Sequence, residues 1–544
     1  MTRFSPLSSL ALAFLGLAAC GRAPAPPPSP AANAVAPHEN LNGIVERYWD
    51  ERAPAGVSIA PQFLADSLSL ERRFLAEVLA VPRAPLDADA ALTYDIFKRR
   101  RELAIEGFTY PSELLPVNPF DSKPLEFARA AARFGQQPRK TDEELADWQR
   151  RIDDYVRWTE QAIANMREGM RRGYTSPRVL MERMLPLLKA LGEDAPGNVF
   201  YTTKLEGAVK GKLLPAYREL HDFIRAEYLP RARASVDLPA LPLGASWYAM
   251  LVKRATGSQL RPSEIHDIGV TEVDRIRTRL LALPAGIPAA GAGNLLDAYQ
   301  GLKVQTLAAM PNLFSSPPPT DFEILALGAS SEATAVLVYR PAAPQSAAPA
   351  ILYVNAAPTS GTPATLDSAG FLSEAIPGRH YQSALQQARG DLPRFRRFGT
   401  EPAFVEGWAL YAASLGEEMG LYRDDEARRG ALLGQLKCAA ALVVDTGLHA
   451  QGWTHAQAAA YLRAQLMLDD AEANLMTDRF VALPGDALAC KMGELKIQAL
   501  LTRARQLLGA RFDIREFHSE VLKDGAMPLD ILEAKMQLWL EARR

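Results

Sequence analysis

Apolar residues recur at helical spacing along most of the chain from Leu41 onward, and this periodicity is the feature that most limits the fold. Between residues 143 and 171, large apolar side chains return at intervals of one or two helical turns: Trp148, Ile152, Tyr155, Ile163 and Met166. Such spacing places them on one face of an α-helix. Comparable patterns cover residues 214–231, 262–283, 403–419, 427–450, 455–468, 492–508, 514–522 and 528–542. The sequence therefore predicts a mainly α-helical protein.

One region has the composition of β-strands instead. The segments 323–327, 334–339 and 351–355 are rich in β-branched and aromatic residues and are separated by Gly, Ser and Pro. We expect them to form a small antiparallel sheet directly before the helix that carries the motif described below. Neither an internal repeat nor a second proline-rich linker marks a domain boundary. We therefore predict one large helical domain over residues 41–544.

The first 40 residues have a different composition. Arg3 precedes an apolar run over residues 7–17, which is followed by Ala18-Ala19-Cys20-Gly21. This arrangement resembles a bacterial lipoprotein signal, so we expect a signal peptide over residues 1–19 and lipidation of Cys20. A plain secretory signal with a chance cysteine is the alternative. Residues 20–40, rich in Ala and Pro, predict an extended tether.

The lipoprotein interpretation places the protein in the bacterial cell envelope, held by its lipid on a membrane and facing the periplasm or the exterior. The apolar run is shorter than the roughly 20 residues that span a bilayer, so the anchor would be the lipid. Lys and Arg (61) nearly balance Asp and Glu (63) and form no basic block, which argues against a nucleic-acid partner. Cys438 and Cys490 either pair or remain buried thiols.

The segment from Ser373 to His380, Ser-Glu-Ala-Ile-Pro-Gly-Arg-His, has the form of a zinc-peptidase helix that lacks its two histidines. In such helices two neutral imidazoles bind the metal, and an adjacent glutamate takes a proton from the metal-bound water. Metal-binding histidines usually stand four residues apart, on one helical face. A separation of six turns the second side chain by about 240° on an ideal helix. The Pro-Gly pair can distort the helix and bring that side chain back.

The segment resembles the bacterial family named domain of unknown function 885, whose signature is His-Glu-x-x-Pro-Gly-His followed by a Glu-Gly-Trp-Ala-Leu-Tyr helix. Glu374, Pro377, Gly378 and Gln382 match the first part, and residues 406–411 match the second. Further matching segments are 265–269, 272–273, 444–449, 452–453, 484–485, 493–497 and 512–518. The likeness extends over roughly residues 215–541.

This family looks like helical zinc metallopeptidases with His, His and Glu as ligands, so the resemblance implies a metallopeptidase-like cleft. By the same resemblance, Glu406 has the third-ligand position and Glu374 the general-base position. Ser373 and Arg379 have the two histidine positions. Serine is a poor zinc ligand, and arginine cannot be deprotonated in a protein. We therefore expect a degenerate metal site without a bound cofactor.

Two arrangements of this site are compatible with the sequence. His380 is seven residues from Ser373, nearly on the same face of a regular helix, so a remodelled zinc site could use His380 and Glu406. Otherwise the Arg379 guanidinium could pair with Glu374 or Glu406 and fill the space of the metal. Zinc is expected only in the first arrangement.

Other residues of the matching segments have candidate roles. The resemblance implies that His449 contacts the substrate, and a capped, partly buried histidine is the alternative. Trp408 and Tyr411, three residues apart, are predicted to pack in the core. Cys490 stands where relatives carry an aromatic residue, which would weaken binding of a reacting carbonyl. Serine hydrolase chemistry is disfavoured because the chain has no Gly-x-Ser-x-Gly segment.

The predicted sheet also has functional meaning, because a strand edge beside such a site can hold a peptide backbone by β-augmentation. Our leading hypothesis is a noncatalytic envelope protein that binds peptides. A second is a hydrolase with a remodelled site, and a third is a structural or assembly lipoprotein with a vestigial cleft. Peptide binding and peptide hydrolysis distinguish the three.

Overall fold

The predicted helices are present in the structure, a computed structural model that describes residues 37–52, 58–136, 141–201, 205–284, 294–327, 336–342, 348–355 and 366–544. The first helices are α1 (Pro37–Glu51), α2 (Pro61–Leu79), α3 (Ala88–Gly107), α4 (Lys123–Gln136), α5 (Asp142–Arg172), α6 (Arg178–Gly192), α7 (Glu206–Ala208), α8 (Leu214–Phe223), α9 (Gly244–Thr256), α10 (Pro262–Leu281) and α11 (Leu295–Ala309). After the sheet come α12 (Ser368–Glu374), α13 (Arg379–Ala388), α14 (Arg394–Arg397), α15 (Pro402–Ser414), α16 (Asp425–Ala450), α17 (His455–Leu466), α18 (Asp470–Ala482), α19 (Leu488–Leu508), α20 (Ile514–Leu522) and α21 (Leu529–Glu541).

Tighter and wider helical turns extend or link these helices. The π-helical segments Val209–Leu213 and Ile224–Tyr228 flank α8, so the predicted helix over 214–231 changes its winding part-way. The 3-10 turns are Ser112–Leu114, Leu229–Arg231, Leu238–Ala240, Met310–Asn312 and Gly509–Arg511.

The three predicted strands form one sheet of β1 (Phe322–Ala326), β2 (Leu337–Arg340) and β3 (Ala350–Val354), with β3 in the centre. β2 pairs with β3 in the expected antiparallel direction, whereas β1 pairs with β3 in parallel. The sheet is therefore mixed rather than antiparallel. The chain between β1 and β3, which includes β2, provides the crossover that parallel neighbours require.

The buried core joins both ends of the chain. One cluster of apolar side chains combines α1–α3 with the sheet, α12, α13, α15 and α19–α21. A second combines α4–α6, α8, α10 and α16–α18. A third, smaller cluster contains side chains of α9, α10, α16 and α19, and so shares helices with both of the others. The described residues consequently form one mainly α-helical domain.

The predicted signal peptide, Cys20 and residues 21–36 of the predicted tether lie outside the described residues. Residues 37–40 were predicted to belong to the extended tether but form the first turn of α1, because Pro37 suits the start of the helix that the apolar pattern from Leu41 continues. Within the described ranges, α16 is the one helix that is long and apolar enough to cross a membrane, and most of it is buried in the core.

The two remaining cysteines form a disulfide. Cys438 lies in α16 and Cys490 in α19, and their Cα atoms are 6.0 Å apart. Of the two alternatives that the sequence left open, the structure has the paired one. The bond connects the long central helix to the helix that packs against α15.

Candidate functional site

The motif segment folds as two helices joined by a turn. Asp367 begins α12 by accepting a hydrogen bond from the Gly370 N–H at 2.8 Å. The helix ends at Glu374, because Pro377 has no N–H and disfavours helical geometry in the residue before it. A new helix, α13, begins at Arg379. Glu374 and Arg379 therefore lie at the two ends of one tight turn.

Position 378 in this turn accommodates only glycine. A Cβ atom at Gly378 would lie 1.9 Å from the carbonyl oxygen of Ser373, far inside van der Waals contact. The turn is also fastened to α15, since the Trp408 indole Nε1–H donates a hydrogen bond to the Pro377 carbonyl at 2.9 Å. The sequence thus fixes the turn by sterics and by one buried hydrogen bond.

Helix α15 carries Glu406 and is itself held closely against α19. A Cβ atom at Gly407 would lie 2.3 Å from the Gly493 backbone, so the two helices touch at their glycines. Trp408 and Tyr411 are almost completely buried, which confirms their predicted packing role. This closely packed helix pair presents the Glu406 carboxylate to the turn.

The Arg379 guanidinium lies between the two carboxylates. Its Nε–H donates to Glu374 Oε1 at 3.0 Å. One terminal nitrogen donates to Glu406 Oε1 at 2.5 Å, and the other donates to Glu406 Oε2. Of the two arrangements compatible with the sequence, the structure has the guanidinium pairing, and it includes both carboxylates rather than one. We refer to Glu374, Arg379 and Glu406 as the carboxylate–guanidinium cluster.

The cluster contains two potential negative charges and one fixed positive charge. Burial raises the pKa of Glu374, the Arg379 charge opposes that rise, and the negative charge of Glu406 adds to it. Burial alone would lower the pKa of Arg379. The hydrogen bonds to Glu406 and the charge of Glu374 raise it by more than burial lowers it, so the net shift is upward. Arg379 is therefore a permanent cation, and the pKa of Glu374 is raised from its ordinary value despite that charge.

The sheet reaches this cluster through its edge strand β2. The Tyr339 N–H donates to Glu374 Oε2 at 3.3 Å. Tyr339 is paired with Leu352 of β3 in a register that directs its backbone N–H away from the sheet. One edge of β2 therefore faces Glu374, as expected for a strand beside the site.

His380 is turned away from the cluster. Its Nε2–H donates to the Thr320 carbonyl at 2.9 Å, and its Nδ1 lies 3.2 Å from the Tyr339 hydroxyl. The side chain is 1% exposed, and burial lowers its pKa. Because a carbonyl only accepts hydrogen bonds, Nε2 carries the proton and Nδ1 accepts from the tyrosine. Both ring nitrogens are engaged, so zinc would have to displace one of these contacts.

His449 is also internal. The Leu238 N–H donates to its Nδ1 at 3.1 Å, and its Nε2–H donates to the Phe480 carbonyl at 3.0 Å. Burial lowers its pKa to about 4, which keeps the ring neutral. These contacts favour the buried-histidine alternative over substrate contact.

The residues at the cluster do not fit a zinc ion. The Ser373 hydroxyl makes no hydrogen bond to another described residue that would orient it as a ligand, and Arg379 brings a positive charge to the ligand position. Across the described part of the chain, no group of three or more His, Cys, Asp or Glu side chains has metal-binding geometry. The donor set amounts to two carboxylates that already accept hydrogen bonds from a guanidinium.

The sequence matches a family model, described as Bacterial protein of unknown function (DUF885), over residues 43–536. The chain belongs to this family. A crystal structure described as a putative lipoprotein from Colwellia psychrerythraea has the same fold, with a TM-score of 0.84 and 23% identity over 93% of this chain and 100% of that one. A putative lipoprotein of unknown function from Shewanella oneidensis has a TM-score of 0.67 and 15% identity at the same coverage. No curated protein matches the chain.

Two of the DUF885-like segments meet in the interior, a contact that sequence analysis did not predict. The Asp445 carboxylate of segment 444–449 accepts the Gly485 N–H of segment 484–485, at 3.1 Å and 3.0 Å from its two oxygens. It also accepts the Tyr248 hydroxyl hydrogen at 2.5 Å. Both segments match the same family, and this shared match was the one feature of the sequence that could have predicted their contact.

A cavity of about 1550 Å³ opens beside the first turn of α15. Its wall includes Pro402, one helical turn before Glu406 on the same face of the helix. Burial raises the pKa of Asp486, another wall residue, and the negative charge of Glu406 adds to that rise. The cavity therefore approaches the carboxylate–guanidinium cluster. No sequence pattern indicated it, because its walls come from α2, α3, α9 and α18, which are distant in the chain.

Proposed function

We propose that this protein is a lipid-anchored bacterial envelope protein that binds peptides and lacks zinc-dependent peptidase activity. The observation that carries the proposal is the Arg379 guanidinium, which donates hydrogen bonds to both Glu374 and Glu406. These are the positions that the family resemblance assigns to the general base and the third zinc ligand.

A bound zinc ion and this guanidinium exclude one another. Arg379 is charged at every accessible pH, so it repels a divalent cation and occupies the carboxylate oxygens that would bind it. Glu374 accepts hydrogen bonds at both of its oxygens, from Arg379 and from the Tyr339 N–H, so neither oxygen is free to act as a base on a bound water. The geometry supports a stable, metal-free remnant of a peptidase site.

The envelope location has independent support. Disulfides persist mainly in oxidising compartments, and Cys438 and Cys490 form one. Residues 1–20 resemble a lipoprotein signal, and the Colwellia and Shewanella structures are each described as a putative lipoprotein. We propose that Cys20 carries the lipid and that the helical domain faces the periplasm or the exterior.

Peptide binding is supported by two features beside the cluster. The edge strand β2 has one side that pairs with no other strand among the described residues, as strands that accept an added peptide strand do, and its Tyr339 N–H on that side is bonded to Glu374 of the cluster. The adjacent cavity of about 1550 Å³ exceeds the roughly 300–1,000 Å³ of pockets for small ligands. It is large enough for a chain of several residues.

The test of this function begins with the zinc content of the full-length protein in detergent, measured by elemental mass spectrometry before and after chelation and zinc re-addition. We expect background zinc in both samples and no cleavage of a mixed peptide substrate pool. Stoichiometric zinc that reloads after chelation would favour the remodelled hydrolase instead. Binding of fluorescent peptide pools then separates the proposed function from a structural lipoprotein, which would bind none.

A further inference from the structure

The cavity beside α15 has two chemically different walls. Its apolar wall is formed by side chains of α2, α3 and α9, among them Leu64, Leu68, Leu103, Met250 and Leu251. Its charged wall is formed by α4 and the loop before it, the end of α9, α18 and the loop before α19, and contains Arg129, Arg254, Arg479, Asp121 and Asp486.

Two of the guanidiniums on the charged wall have no hydrogen-bond partner among the described residues. Arg254 and Arg479 are both exposed, and neither forms an ion pair or a side-chain hydrogen bond with another described residue. Arg100, in the same cavity wall, differs, since its Nε–H donates to Glu401 at 2.6 Å. Asp486 lies close enough to influence the charge of Arg254 but forms no hydrogen bond with it. The Arg254 guanidinium is therefore open to an anionic ligand in the cavity.

We infer that Arg254 and Arg479 bind the C-terminal carboxylate of a short peptide whose apolar side chains lie against the α2–α3–α9 wall. A guanidinium matches a carboxylate with two parallel hydrogen bonds, a geometry that a point charge does not provide. The inference rests on the proposed peptide-binding function and names the part of the peptide that is recognised.

The charge pattern of the wall favours a carboxylate over a more highly charged anion. Asp121 and Asp486 line the same wall, so a phosphate dianion would meet two negative groups. A peptide carboxylate carries a single negative charge, and the peptide's own N–H groups can donate to these aspartates. A ligand with both a charged end and donor groups complements the wall best.

The test uses fluorescence anisotropy with the full-length protein in detergent and fluorescein-labelled hexapeptide pools. Each pool is made with a free C-terminus and with an amidated one. We expect amidation to weaken binding by about 10- to 100-fold, the effect of losing a charge-assisted hydrogen-bond pair. Arg254→Gln and Arg479→Gln should each weaken binding of the free-carboxylate pool and should reduce its advantage over the amidated pool. Arg503→Gln, at an exposed arginine of α19 outside the cavity, is the matched control and should leave both pools unchanged.

The outcomes separate this inference from the proposed function. Equal binding of free and amidated pools would overturn carboxylate recognition while leaving peptide binding intact. Preference for acidic side chains irrespective of amidation would likewise overturn it. Failure of folded wild-type protein to bind any pool would overturn both proposals. If circular dichroism shows that a glutamine variant is misfolded, Arg254→Lys is used in its place. A folded lysine variant that loses the preference for the free-carboxylate pool supports the inference. A folded lysine variant with an unchanged preference contradicts it.

Discussion

Arg379 supplies the positive charge that offsets Glu374 and Glu406. In Arg379→Ala, two partly buried carboxylates would face each other without a compensating positive charge. We therefore expect the free energy of unfolding to fall by about 2–4 kcal/mol at pH 8. Part of that loss should be recovered at pH 5, because protonation of one carboxylate removes the repulsion. Urea unfolding followed by circular dichroism at both pH values measures the effect.

The matched control is Arg157→Ala, which breaks an ion pair with Asp154 on the exposed surface of α5. Exposed pairs contribute little, so we expect a change within about 0.5 kcal/mol. If Arg379→Ala loses no more stability than this control, or loses the same amount at pH 5 and pH 8, the guanidinium is not balancing the carboxylates.

Restoring the family ligands tests whether the remainder of a zinc site survives. Ser373→His with Arg379→His removes the guanidinium and adds two imidazoles beside Glu406. We expect about one zinc ion per chain after loading and desalting, measured by elemental mass spectrometry. The same protein with Glu406→Gln added should lose that zinc. A folded double variant without zinc would mean that Glu406 is not placed as a third ligand.

At the scale of single elements, the turn between α12 and α13 depends on Gly378. A Cβ atom there would meet the carbonyl oxygens of Ser373 at 1.9 Å and Leu372 at 2.4 Å, which are backbone atoms that cannot rotate away. We expect Gly378→Ala to lower the free energy of unfolding by about 2–3 kcal/mol. Gly430→Ala in α16, where no atom lies within 4 Å, should instead raise it by about 0.5–1 kcal/mol. Similar values for the two variants would contradict the steric argument.

The secondary structure was predictable where its signals are local. Thr454 and Asp513 cap α17 and α20 as their positions indicate. Ser263 also has cap chemistry, but the N-cap of α10 is Arg261 and Ser263 lies inside the first turn, because Pro262 suits the first helical position. The parallel pairing of β1 with β3 was not predictable, since both directions satisfy the same strand composition. Local preference determines which residues form strands, and tertiary packing determines their direction.

The candidate site was predictable in its residues and only partly in its contacts. Family resemblance identified Glu374, Arg379 and Glu406, and the charge of arginine indicated their pairing. The hydrogen bonds that engage both nitrogens of His380 come from Thr320 and Tyr339, outside the motif. Such contacts depend on how distant segments meet, and helical periodicity does not encode that.

At the scale of the whole molecule, Asp445 joins parts of the chain that also form the cavity. It accepts hydrogen bonds from Tyr248 of α9 and from Gly485, beside the wall residue Pro484. Complete burial raises the pKa of Asp445 to about 7, although these two hydrogen bonds oppose the rise. The position of the α18–α19 loop therefore depends on a carboxyl group that titrates near neutral pH.

This titration has a defined sign. An Asp in the unfolded chain has a pKa of about 3.9, so between pH 5 and 7 the native state retains a proton that the unfolded state has lost. The stability contributed by Asp445 therefore falls as the pH rises through this range and is constant above it. Asp445→Asn cannot ionise and keeps an acceptor oxygen for Tyr248 and Gly485. We expect its free energy of unfolding, relative to wild type, to increase by about 2–3 kcal/mol from pH 5 to pH 8 in urea titrations.

The comparison of variant with wild type isolates Asp445 from other titrating groups. His449, whose pKa burial lowers to about 4, changes stability in the opposite direction over the same range, but equally in both proteins. The hydrogen bond with Arg515 lowers the pKa of Asp513 to about 2, so Asp513→Asn should shift the stability curve between pH 5 and 8 without changing its slope. The contrary outcome is an Asp445→Asn curve of stability against pH that runs parallel to the wild-type curve, as the Asp513→Asn curve should. Asp445 would then be ionised in the native state, and a buried carboxylate anion would hold the loop beside the cavity.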